Sequence, residues 1–212
     1  MEVSEKRVLW LLGRYAAYML LLLVLYLTLT YVILQDKWLF SENGFIEWLQ
    51  FTFLTLLFIA LTSSSVVFSK LRELLLLLTS CSILALAREQ DKTLDALVPF
   101  FGWQVIFFLV VPLVLYQFRN WQSLRRQLLK FATSPAMGIF LTAIVVILPL
   151  AQCIGDSDYL RAAMGEDYIR KYKTMFEESM ELYGYLILLC GAVETILFAR
   201  QYQASESVAA SE

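Results

Sequence analysis

Residues 16–34, AAYMLLLLVLYLTLTYVIL, contain no charged side chain, no proline and no glycine, and that stretch decides what kind of object this chain is. As an α-helix it would cover about 28 Å at ~1.5 Å per residue, close to the ~30 Å hydrocarbon thickness of a bilayer. It is too long for the apolar core of a secretory signal and has no small-residue cleavage pattern after it, so it is expected to stay in the protein. An apolar lead-in from Val8 to Leu12 precedes it.

Five further apolar runs follow, each bounded by recognisable breakers: Phe45–Phe68, Leu71–Ala87, a run from Pro99 to Phe118, one from Pro135 to Ile154, and one from Glu178 to Phe198. Pro99 and Pro135 suit first-turn positions, whereas Pro112 and Pro149 fall inside their runs and should kink them. Hydrophobic residues make up 59% of the chain and charged ones 17%. A soluble domain carries roughly a quarter charged residues, so the water-facing surface is missing. The expected fold is all-α, a polytopic transmembrane bundle of about six helices. Residues 1–202 should form a single membrane domain, with residues 203–212 as a disordered cytoplasmic tail.

Basic residues orient the bundle. Lys6, Arg7, Arg14, Lys70, Arg72, Arg119, Arg125, Arg126, Lys130 and Arg200 alternate onto one side, and the loop from 119 to 130 holds four of them with no acid. Cytoplasmic loops carry this excess, so both termini are expected inside, as in a multi-pass protein of a cell inner membrane. The same loop is amphipathic. It reads as a topology anchor or as a segment lying on an anionic leaflet.

With that topology the acids gather at one face. Glu47 opens the second helix, Arg88-Glu89-Gln90-Asp91 closes the third, Asp156 and Asp158 close the fifth, and Glu178 and Glu181 open the sixth, all at the non-cytoplasmic end. On the last helix Glu177, Glu181, Gly184, Leu188, Gly191 and Thr195 share one stripe, and small residues in a stripe mark close helix approach. Glu181 should therefore face the bundle. Glu47 and Gln50 share a face of the second helix, and Arg88 can turn inward with Cys81. The candidate site is Glu47, Gln50, Arg88, Glu89, Asp91, Glu178 and Glu181, with Arg88 as counter-charge. A charge at a membrane helix centre costs about 2.5–3.5 kcal/mol on insertion scales, and such residues are functional candidates by default. The alternative is that the acids cap helix dipoles and pair with Arg88. Glu194 stands apart near the cytoplasmic end, placed to pair with Arg200 or to reach the headgroups.

Absences narrow the chemistry. The chain has no histidine, which removes haem ligation, histidine-based zinc hydrolysis and Ser-His dyads. No cofactor is expected. A metal, if bound, would be Ca²⁺, Mg²⁺ or Mn²⁺ on oxygen donors. Arg88 and Lys92 are candidate partners for an anionic headgroup. Cys81, Cys153 and Cys190 show neither disulfide nor zinc spacing, and the serine clusters at 63–65 and 80–82 read as interhelical hydrogen-bonders. Nothing basic enough for nucleic acid is present; the expected partners are the bilayer and other membrane subunits, the same chain or another.

The strings Glu42-Asn43-Gly44-Phe45-Ile46-Glu47, Arg88-Glu89-Gln90-Asp91 and Glu177-Glu178-Ser179-Met180-Glu181 resemble a loose group of uncharacterised bacterial multi-pass membrane proteins with E-x-G-x-x-E, R-E-x-D and E-E-x-x-E motifs. In that group a histidine often follows R-E-x-D, where this chain has Lys92-Thr93. The resemblance implies that the cluster acts as a unit and names no activity. Three functions remain open: an integral membrane protein whose outer acidic cluster binds a cation, proton or partner for transport or sensing; a structural subunit whose acids only cap and pair; and an enzyme modifying lipid headgroups with carboxylates.

Overall fold

The computed structural model describes residues 3–35, 44–97 and 102–209. Glu42, Asn43, Lys37, Pro99 and residues 210–212 lie outside these ranges, as do the side chains of Lys92 and Thr93. Among the described residues there is no strand. The helices are α1 (Val3–Gln35), α2 (Phe45–Val67), α3 (Arg72–Glu89), α4 (Asp91–Leu97), α5 (Val105–Phe118), α6 (Trp121–Ala132), α7 (Pro135–Val145), α8 (Ala151–Ile154), α9 (Ser157–Met164) and α10 (Arg170–Ala209).

Among the described residues, each of the six apolar runs forms helix over most of its length. Four helical stretches among the described residues are long and apolar enough to cross a membrane: Glu5–Leu34, Phe45–Val67, Pro135–Ile154 and Arg170–Glu206. The bent pair α5 and α6, which turn by 95° at their junction, would make a fifth. α3 misses that standard because Arg72, Glu73, Arg88 and Glu89 sit within its 18 residues, and α5 because it has only 14.

α10 is the axis of the bundle. Of its most apolar window 61% is buried, against 11% for α1, which stands at the periphery. α2 and α7 pack along α10, α3 packs on α2 and α5, and α6 lies across the end of the bundle against α3 and α7. One core joins Leu54, Leu57, Leu61, Leu74, Leu75 and Tyr185 with Phe131 and Phe140; a second joins Leu25 and Leu29 of α1 to Ile46, Leu182 and Leu186. Lipid tails are as apolar as these side chains, so close packing, not water exclusion, holds such helices together. The small-residue stripe serves that end: a methyl group at Gly184 would collide with Ile147, and one at Gly191 would press on Phe140.

Local chemistry explains the helix ends near the site. Glu47 lies in the first turn of α2, where a carboxylate complements the helix dipole. α7 starts at Pro135 behind an extended Ser134. Its expected kink takes the form of a π-helical turn over Val146–Leu150, because Pro149 has no N–H for the ladder and its ring crowds the carbonyl four residues back. Asp156 is a cap for α9, its carboxylate accepting from the N–H groups of Asp158 and Tyr159, and not a member of the acidic cluster.

Several expectations need correction. The last helix begins at Arg170, two turns before Glu178, because Met175 packs into the second core. Residues 203–209, expected as a tail, are helical at the end of α10, and Lys130 reaches Glu206 at 3.1 Å and stacks over Tyr202. Exposed Lys130 is held above the usual lysine range mainly by that hydrogen bond with Glu206. Ser64, Ser65, Thr79, Ser80 and Ser82 donate to carbonyls of their own helices, and across helices Ser80 accepts from Gln117 at 3.4 Å. Cys190 is buried as expected of a packer, but Cys81 and Cys153 are exposed.

Candidate functional site

α2, α3 and α10 bring most of the predicted cluster to one end of the bundle. Glu47, Arg88, Glu89, Asp91, Glu178 and Glu181 line a polar chamber of about 280 Å³, together with Gln152 and Glu177. Six of the eight lining residues are carboxylic acids and one is a guanidinium, so the chamber has a strong excess of negative charge.

Arg88 is the expected counter-charge. Its Nη2 lies 3.3 Å from Oε1 of Glu181, whose side chain is 13% exposed, while the arginine is 47% exposed. A well-formed guanidinium–carboxylate contact is about 2.7–2.9 Å, so this pairing is loose. Glu89 accepts a hydrogen bond of 2.9 Å from the hydroxyl of buried Tyr185. Gln50 does not line the chamber but braces it from beneath. It is fully buried, and its Nε2 donates to the Glu178 carbonyl at 3.1 Å and to its carboxylate at 2.9 Å. Its Oε1 has no hydrogen-bond partner among the described residues.

Gln152, Glu177 and Tyr185 were not among the candidates. Glu177 stood on the small-residue stripe, which was the available signal; the tip of α8 comes so near that a methyl group at Gly155 would collide with the Glu177 side chain. Gln152 follows the π-helical turn, where Pro149 announced a kink but not which side chains it would aim at the chamber. Among the described residues no three His, Cys, Asp or Glu side chains converge as ligands of a metal ion.

A second cavity, of about 370 Å³, adjoins the first. It is a cleft between α3 and α7, floored by Leu57, Leu61 and Leu188 and walled by Leu78, Leu141 and Ile144. α6 closes one end with Leu128 and Phe131, and Arg88 stands at the other. Arg88 thus lines both cavities, and Tyr185 lines the cleft while its hydroxyl serves Glu89 of the chamber.

Glu194 lies well away from this site and finds a different partner from those expected. It is 4% exposed, its Oε1 sits 2.6 Å from Arg14 Nε of α1, and it accepts a 2.9 Å hydrogen bond from Tyr18. The arginine contact is ionic and not a directed hydrogen bond, since the Nε–H does not point at the oxygen. No protein-family model matches this chain, and no curated protein or solved structure matches it.

Proposed function

We propose that this chain is a multi-pass inner-membrane protein, crossing six times with both termini cytoplasmic, whose outer-face acidic chamber binds a cationic group. The observation that carries this is the 280 Å³ cavity in which six acids surround one loosely paired arginine. Acids serving only as dipole caps would point to separate helix ends, whereas these converge from α2, α3, α4 and α10 on one void. The basic loop of α6 at the opposite end supports the orientation. Carboxylates dispersed around one void suit an ammonium, which donates up to three hydrogen bonds and tolerates dispersed acceptors.

Saturation-transfer NMR with ethanolammonium on purified protein in nanodiscs tests this. Transfer to the wild type and its loss in the Glu47→Gln, Glu181→Gln double variant is the expected result. Equal transfer to a correctly folded double variant, or none to the wild type, overturns it. A variant that loses assembly without any change in binding favours the structural subunit. The headgroup-modifying enzyme is the second reading, because it requires a groove beside the carboxylates and the cleft between α3 and α7 is such a groove.

A further inference from the structure

We propose that the two cavities together are the site of one amine-headed phospholipid, with an acyl chain in the cleft, the phosphate at Arg88 and the ammonium in the acidic chamber. The proposal rests on the chamber's binding an ammonium and adds what carries that group.

The cleft fits a chain and not a helix. Its lining runs along α3 from Leu74 to Arg88, about 21 Å at ~1.5 Å per residue, against ~15 Å for the hydrocarbon depth of one leaflet. Its 370 Å³ falls at the small-ligand end of the ~300–1,000 Å³ expected of binding pockets. Cys81, Ser82 and Ala85 are the small residues of its α3 wall, while Leu78, Leu141, Ile144 and Leu188 present bulky branched side chains that keep a helix backbone from close approach. Leu141, Ile144 and Leu148 on its α7 side are exposed, which leaves a lateral way in from the membrane.

Charge selects the headgroup. Arginine offers a planar fork suited to phosphate, and Arg88 is half exposed with a loose 3.3 Å contact to Glu181. An anionic lipid would meet six acids immediately beyond that arginine and be repelled. A headgroup with a positive charge just past its phosphate matches the order found here: apolar cleft, guanidinium, carboxylates. Choline recognition uses aromatic cages, and among the described residues no aromatic ring lines the chamber. A primary ammonium, with three N–H donors for carboxylate acceptors, is therefore preferred to a quaternary one.

Native mass spectrometry of the full chain, released from nanodiscs containing equal phosphatidylethanolamine, phosphatidylcholine and phosphatidylglycerol, tests this. One retained phosphatidylethanolamine, favoured about tenfold over either competitor, is expected from a charge-assisted hydrogen-bonding difference. Glu47→Gln with Glu181→Gln should keep a bound lipid but lose the preference for the amine. Ala85→Phe, or Leu78→Phe if that variant does not fold, should fill the cleft and lose the lipid while ethanolammonium transfer persists. Equal retention of the three lipids, or undiminished retention in a folded cleft-filled variant, overturns the lipid proposal and leaves the ammonium reading standing. Absence of ethanolammonium transfer in the wild type overturns the ammonium reading and the headgroup assignment with it. A dimer cross-linked through the cleft would show that a second copy occupies it and would also overturn the proposal.

Discussion

Replacing Glu194 by leucine removes the carboxylate that holds α1 to α10. In the wild type the Glu194 side chain is 4% exposed and that of Arg14 is 14% exposed, with 2.6 Å between Oε1 and Nε. Two unit charges ~4 Å apart between their centres attract by about 4 kcal/mol at an effective dielectric of ~20, and desolvation offsets much of that. The single variant is worse off than this balance implies, because it keeps the buried guanidinium and loses its partner, a change that costs about 3–5 kcal/mol in soluble proteins. Arg14 also faces Trp10 at 4.7 Å and has a long stem with which to reach the headgroups, which lowers the expected loss to about 2–3 kcal/mol. Unfolding free energy in bicelles, measured by steric trapping, is the assay. Adding Arg14→Met should recover the loss to within about 1 kcal/mol, since an apolar pair of similar volume often replaces a buried ion pair without penalty. A Glu194→Leu protein as stable as wild type would refute the buried pair, and a double variant as poor as the single one would assign the loss to packing and not to charge.

Gln127→Leu should cost about 1–3 kcal/mol, because buried Gln127 accepts from the Leu74 N–H at 2.9 Å and donates to the Lys70 carbonyl and Glu73 carboxylate near the start of α3, and the orphaned groups stay near the bundle; thermal unfolding checks it. Gly184→Val should destabilise by about 1–3 kcal/mol through collision with Ile147, and Ile147→Ala in the same chain should relieve part of that loss. Exposed Cys153 should react with a membrane-impermeant maleimide in intact spheroplasts while buried Cys190 does not, and labelling of Cys153 only after lysis would reverse the proposed orientation.

The four longest helices were legible because their apolar runs match the thickness of a bilayer, whereas α3 carries too many charges and α5 is too short to give that signal. The acidic chamber was legible for a related reason: helical spacing puts Glu47 with Gln50 on one face and Glu181 on the glycine stripe, and close helix approach follows from the stripe. What could not be read depends on distant pairings. Glu194 had Arg200 six positions away as its obvious partner, yet the guanidinium that meets it comes from the opposite end of the chain. Gln127 looked like one polar residue of a basic loop until α6 folded across the start of α3. Gln152 reaches the chamber because Pro149 widens one turn, and the effect of that widening on facing direction is a property of three-dimensional backbone geometry. The cleft is a gap between helices far apart in sequence, so no local pattern encodes it.

The latch between α1 and α10 also sets an order of events during synthesis. Tyr18 and Glu194, which belong to it, stand 176 residues apart. At ~5–20 residues per second, roughly 9–35 s separate the emergence of the two partners from the ribosome. Through that interval Arg14 is answered by something other than Glu194, and the nearby Trp10 and Tyr15 rings offer its guanidinium such an interim rest. The latch that joins α1 to α10 thus closes only after Glu194 has been made.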